Sequence, residues 1–181
     1  FIGVAEQCGL IDELGQWALN QACREAAAHF DGLAISVNVS PMQLRDPDFV
    51  ATVRQALRDA GLPATRLELE ITESVFMDDA DGALEQLHAL RDLGVRVALD
   101  DFGTGYSSLS YLRRFPFDTL KVDRAFINEM LLQRDARAIV QMIANLAATL
   151  GICTVCEGVE TVEQLRAVSE AGCDQVQGYL I

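Results

Sequence analysis

Val97-Ala-Leu-Asp-Asp-Phe-Gly-Thr-Gly-Tyr106 ends an apolar run in two adjacent carboxylates and then brackets a turn with glycines. Val95 to Asp100 reads as a buried strand, because short apolar runs bounded by turn residues suit a sheet covered on both faces. Two negative charges side by side at such a place need a compensating charge nearby. Strict alternation throws Asp100 and Asp101 to opposite sides of the strand. Gly103 and Gly105 predict that the backbone turns there, so that both carboxylates still reach one site.

The neighbouring segments alternate between strand and helix patterns. Strands are predicted at Leu33 to Val39, Arg66 to Ile71, Val95 to Asp100, Phe117 to Asp123, Ile152 to Glu157 and Cys173 to Tyr179. Helices are predicted at Ile11 to His29, from Ser40 to about Ala60, at Asp81 to Leu93, around Ser107 to Arg113, at Asn128 to Leu150 and at Thr161 to Ala171. Ser40 with Gln43, and Thr161 with Gln164, have the spacing of capping boxes, and Pro41 suits a first helical position. Gly61, Gly94 and Gly151 stop the helices before them. Regular alternation of six strands with helices predicts a parallel sheet, either a barrel or an open doubly wound sheet. Trp17 and the phenylalanines read as core, and His29 and His88 as helix residues without a catalytic role.

The chain has 181 residues, half of them apolar and 23% charged, which suits one domain with a real core. A formal net charge of −13 disfavours binding along a DNA or RNA backbone. It leaves a phosphate substrate open, because bound cations invert the local field. No apolar run is long enough to span a bilayer, and Phe1 to Leu10 lacks the basic start of a secretory signal. The five cysteines, Cys8, Cys23, Cys153, Cys156 and Cys173, point to a reducing compartment and a packing role. Cys153 and Cys156 have C-x-x-C spacing, but inside a strand pattern rather than at a helix start. The chain lacks an initiating Met and is expected to be a piece of a longer protein.

Polar residues collect at the C-terminal ends of the predicted strands: Asn38, Glu70 with Glu73, Asp100 with Asp101, Lys121 with Asp123, Glu157, and Gln177. In parallel α/β folds that edge is the ligand edge. Clustered carboxylates with one amide oxygen and no Cys or His partner describe a site for a hard cation, Mg²⁺ or Mn²⁺. Asp100, with a second carboxylate beside it, suits a bridge between two ions, a recurring device in phosphodiester hydrolysis. Lys121 then orients the attacking water, assists its deprotonation or stabilises charge on the phosphate. Glu68 shares a face with Glu70, and Arg66 is its candidate partner. Asp-Phe-Gly also occurs in protein kinases, but no H-R-D-type loop or G-x-G-x-x-G precedes it here.

The chain resembles the EAL domain family, the bacterial cyclic di-GMP phosphodiesterase module. The resemblance rests on Ala5-Glu-Gln-Cys-Gly-Leu-Ile11, Ser36-Val-Asn-Val-Ser40, Leu69-Glu-Ile-Thr-Glu-Ser74, Asp100-Asp-Phe-Gly-Thr-Gly-Tyr-Ser-Ser-Leu109, Leu120-Lys-Val-Asp-Arg124, Glu157-Gly-Val-Glu-Thr161 and Gly172-Cys-Asp-Gln-Val-Gln-Gly-Tyr179. It implies a (β/α)8 TIM-type barrel, truncated here at both ends. The strand carrying the Glu-Ala-Leu segment and the last helix are expected to lie outside the chain, so the isolated piece is expected to be inactive. It implies Asn38, Glu70, Asp100, Asp101 and Glu157 as ligands of two Mg²⁺ or Mn²⁺ ions. Lys121, Asp123, Glu73 and Gln177 match positions that serve the catalytic water, its outer shell and the loop Phe102 to Ser108. The implied activity is hydrolysis of cyclic di-GMP to linear pGpG. The alternatives are a non-catalytic cyclic di-GMP receptor, or another metal-dependent barrel enzyme. Implied partners are the dinucleotide, a second copy of the chain, and N-terminal sensory or diguanylate-cyclase domains. The implied location is cytoplasmic, with a parent chain that is soluble or membrane-tethered.

Overall fold

In the computed structural model the described residues are 1–77, 79–103, 109–115 and 117–181. The chain divides into two compact units, Phe1–Val97 and Ala98–Ile181. The sheet has six strands that neighbour one another in chain order: β1 (Ile35–Asn38), β2 (Leu67–Thr72), β3 (Arg96–Phe102), β4 (Thr119–Val122), β5 (Cys153–Glu157) and β6 (Gln175–Gln177). The pairings of β1 with β2, β3 with β4, β4 with β5 and β5 with β6 are parallel. An open doubly wound sheet reverses its order at a switch point, whereas this order runs on without reversal, which is the connectivity of a TIM-type barrel.

In the first unit, α1 (Ile2–Gln7) and α2 (Ile11–His29) precede β1. Ser40 caps α3 (Pro41–Leu44) through the predicted box with Gln43. The single helix predicted from Ser40 to Ala60 is two helices, because α4 runs only from Phe49 to Ala60. Pro47 explains the break, since the residue before a proline is driven out of the helical region. Asp46 there accepts a hydrogen bond from the Asp48 amide at 2.9 Å. Asp79 caps α5 (Ala80–Asp92) by accepting from the Gly82 amide. The core of this unit includes Leu44, Val53, Leu67, Leu69, Ile71, Leu87 and Leu90. Arg66 does not serve Glu68. Its guanidinium donates to the carbonyls of Ala26, Phe30 and Leu33, closing the C-terminal end of α2. Glu68 is instead 3.9 Å from Arg96 and accepts a hydrogen bond from Ser36 at 3.1 Å. Trp17, read as core from the sequence, is 64% exposed.

In the second unit, α6 (Leu109–Arg114) follows β3, and α7 (Arg124–Glu129) and α8 (Arg134–Leu150) follow β4. The long helix predicted from Asn128 is thus two helices, with Met130 to Gln133 between them. Asp123 starts the first of these early, because its side chain accepts the Ala125 amide at 2.7 Å. The Thr161–Gln164 capping box forms as predicted at the start of α9 (Val162–Glu170). Leu120, Val122, Ile127, Val140, Phe115 and Val168 are core residues of this unit. Phe115 and Phe117 meet edge to face, with ring centroids 4.7 Å apart. Among the described residues no helix is long and apolar enough to cross a membrane.

Candidate functional site

The two carboxylates of the opening stretch lie within β3, at a bulge, rather than beyond its end. Leu99 opposes Leu120 and Phe102 opposes Val122, with a register shift between them. Two residues, Asp100 and Asp101, therefore face the single Lys121, which is the definition of a β-bulge. Asp101 takes φ +54°, and no other described non-glycine residue has a positive φ. Aspartate tolerates this left-handed region better than most residues because its short side chain can bond locally. The bulge cancels the alternation, so both carboxylates gather on one side. The backbone therefore departs from regular strand geometry at Asp101, inside β3, and the expected turn follows at Gly103. Gly103 has φ +98°, and Gly105 lies outside the described residues.

Lys121 answers the question of charge. Its side chain is 7% exposed, and its Nζ lies 3.2 Å from Asp100 Oδ1 and 2.7 Å from Glu157 Oε1. Parallel register explains the second contact: Lys121 opposes Val155, and Glu157 stands two residues on, on the same face. Asp100 is buried, and its Oδ1 also accepts the Asp101 amide at 3.0 Å. One ammonium does not balance this group. Carboxylate oxygens of Asp100, Asp101 and Glu157 all lie within 4.8 Å of one another. Burial, and then the charge of Asp100, raise the Asp101 carboxyl above the ordinary range; Asp123, which shares a hydrogen bond with it, and Glu157 add to the shift. Crowded hard oxygen donors with excess negative charge fit a divalent cation such as Mg²⁺, Mn²⁺ or Ca²⁺.

The end of β5 is held from β6. Glu157 opposes Gln177, and the Gln177 carbonyl accepts the Val159 amide at 3.0 Å. Gly178 lets the two backbones approach: a Cβ there would stand 2.2 Å from the Val159 carbonyl oxygen. The sequence reading missed this clamp, although the Gly178 that follows Gln177 was its visible signal. Gln177 itself is exposed.

In the first unit, Asn38 and Glu70 are register partners at the ends of β1 and β2. They sit one layer above Ser36 and Glu68, which pair in the same register. Asn38 is exposed and Glu70 buried. Glu73 opens a short 3₁₀ turn, Glu73–Phe76, directly after β2. Of the loop Phe102 to Ser108 that Glu73 was matched to, residues 104–108 lie outside the described residues. The structure thus brings Asp100, Asp101, Lys121, Asp123 and Glu157 together in one unit, and Asn38 beside Glu70 in the other. A groove of about 400 Å³ lined by Leu44, Arg45, Asp79 and Gln86 holds none of the predicted site residues.

Comparison with known proteins places these features in a family. The EAL domain model matches residues 1–181. The cyclic di-GMP phosphodiesterase NbdA of Pseudomonas aeruginosa is 47% identical over 184 residues, covering 99% of this chain and 24% of NbdA. The structure titled PaMucR phosphodiesterase, c-di-GMP complex, superposes with a TM-score of 0.94 at 44% identity, covering 99% of this chain and 74% of that one. BlrP1 of Klebsiella pneumoniae, in a manganese/cy-diGMP complex, gives a TM-score of 0.88 at 32% identity, covering 94% of this chain and 44% of that one. The chain spans about a quarter of the length of the curated relatives it matches, 24% of NbdA and 27% of MucR. Its strand order, its acid–lysine cluster and a family match along its full length agree, and the chain belongs to the EAL domain family.

Proposed function

We propose that the chain belongs to a divalent-metal-dependent phosphodiesterase that opens cyclic di-GMP to linear pGpG. The observation that carries this reading is Lys121, buried between Asp100 and Glu157 where three carboxylates converge. Relatives named as cyclic di-GMP phosphodiesterases and a manganese/cy-diGMP complex support the substrate and the metal class.

Asp100, Asp101 and Glu157, whose carboxylate oxygens converge, would hold the divalent cation. Asn38 and Glu70 are assigned as further ligands on their match to the family motifs. Bound Mg²⁺ or Mn²⁺ supplies Lewis acidity toward a phosphate oxygen and lowers the pKa of water. Lys121 keeps a positive charge fixed beside the carboxylates, where negative charge grows on the phosphate during in-line attack. Its two ion pairs pin the ammonium, so its position is set before substrate arrives. Asp123 holds Asp101 through their shared hydrogen bond while capping α7. Gln177 is assigned to orient water near Lys121, and Glu73 to anchor the loop after β3.

The test is substitution in the intact protein. Asp100→Ala and Glu70→Ala each abolish release of pGpG under Mn²⁺. Near-normal rates in either variant refute the ligand assignment. An unaltered wild type that binds cyclic di-GMP without cleaving it identifies a receptor instead.

A further inference from the structure

Cys156 and Cys173 lie together on the far side of β5 from Glu157. Burial alternates along β5, with Thr154 and Cys156 buried and Cys153, Val155 and Glu157 less so. Cys153 and Cys156, three residues apart, therefore point to opposite faces, and the C-x-x-C spacing does not make a pair. The partner of Cys156 comes from the turn between α9 and β6: its Sγ is 2.9 Å from Cys173 Sγ. That turn is fixed independently. Asp174 accepts hydrogen bonds from the Thr154 amide and hydroxyl, both at 2.8 Å, and its amide donates back to the Thr154 hydroxyl at 2.9 Å. The Cys173 amide is tied to the Val168 carbonyl at 3.2 Å.

We infer that Cys156 and Cys173 form a reversible disulfide, made by a peroxide, that links β5 to the turn entering β6. Both are free thiols, Cys156 fully buried and Cys173 half-buried, so one sulfur is reachable and the other is shielded. That asymmetry assigns the order of events. The Cys173 sulfur attacks hydrogen peroxide, breaks its O–O bond and becomes a sulfenic acid, releasing hydroxide that takes up the thiol proton as water. The Cys156 sulfur then attacks the sulfenic sulfur, the S–O bond breaks, and the second water leaves with the Cys156 proton. Two thiols are oxidised by two electrons and one peroxide is reduced to two waters. The hydrogen bond from Cys156 also lowers the Cys173 thiol from its ordinary range, which favours it as the attacking sulfur. Cys23 is fully buried and pushed up to about 11 by that burial, and it has no such route.

The experiment exposes the reduced intact protein to hydrogen peroxide, stops with catalase, blocks remaining thiols with N-ethylmaleimide in denaturant, and maps peptides by mass spectrometry. The expected result is a Cys156–Cys173 cross-link, two hydrogens lighter than the thiol pair and reversed by dithiothreitol. Cys8, Cys23 and Cys153 should carry the maleimide. The link should persist in Cys153→Ser and be lost in Cys156→Ser and in Cys173→Ser. Circular dichroism checks that the serine variants fold. If Cys156→Ser does not fold, the half-buried Cys173→Ser carries the test. Cys173 trapped as a sulfinic acid while Cys156 still takes the maleimide would overturn the inference, as would a link from Cys173 to Cys153. None of these readouts depends on hydrolysis, so the pair stands or falls apart from the proposed activity.

Discussion

At the residue scale, Lys121 and Asp101 carry distinct burdens that substitution can separate. Lys121→Met removes the only ammonium in contact with Asp100 and Glu157 among the described pairs. Breaking a buried charge cluster by removing one partner costs on the order of 3–5 kcal/mol. The metal-free variant should therefore melt well below the wild type, and added Mn²⁺ should recover more stability in the variant than in the wild type. Turnover should fall by about 10²–10⁴, the span usual for a lost acid–base or charge-stabilising group. Calorimetric affinity for cyclic di-GMP in Ca²⁺ should change far less, and a parallel collapse of affinity would argue that Lys121 mainly binds substrate. Asp101 is a test of backbone against charge. Asp101→Asn keeps a side chain suited to φ +54° and removes the carboxylate, so it should fold like the wild type and lose metal affinity. Asp101→Val adds a strain of roughly 1–2 kcal/mol at that backbone position. Equal melting temperatures for the two variants would contradict the reading that the left-handed φ at Asp101 selects a short polar side chain.

At the scale of elements, the ends of β5 and β6 form one unit around Gly178. Gly178→Ala forces the Val159 backbone to retreat from a Cβ, and overpacking of this kind costs about 1–3 kcal/mol. Because Glu157 lies two residues before Val159, the variant should also weaken Mn²⁺ binding. Unchanged metal affinity alongside the stability loss would show that the clamp serves folding alone. Much at this scale was legible in the sequence. The six strands and the helices between them came from periodicity, whereas the short α1 before Ile11 carried no such pattern, and both capping boxes came from spacing. Two boundaries did not, because Pro47 and the Asp123 cap act on the helix ends beside them, not on the apolar pattern. The bulge was hidden for a different reason. Two residues facing one is a property of a strand pair, and Leu120 of β4 lies 21 residues downstream of its partner Leu99 in β3. The partners of Arg66, Glu68 and Cys156 were hidden for the same cause: each contact joins distant stretches, so no local spacing announces it. The acid–lysine part of the candidate site was more legible, since the ends of β3, β4 and β5 share one edge whatever the details of register.

At the scale of the whole molecule, excess negative charge at the acid cluster predicts that a divalent cation stabilises the fold. A ligand that binds only the native state at 100 times its dissociation constant adds about 2.7 kcal/mol. Thermal melting of the intact protein should rise with Mn²⁺ and fall back on chelation, with the response lost in Asp100→Asn. The relatives extend well beyond the region matched here, and one is named a bifunctional diguanylate cyclase/cyclic di-GMP phosphodiesterase. Above all, the carboxylates gathered around Lys121 are claimed to make a hydrolase rather than a receptor. The direct test follows cyclic di-GMP by chromatography with the intact wild-type protein in Mn²⁺. One pGpG should appear for each cyclic di-GMP consumed, and release should stop when the metal is chelated. Tight binding of cyclic di-GMP with no pGpG in either Mn²⁺ or Mg²⁺ would contradict the claim.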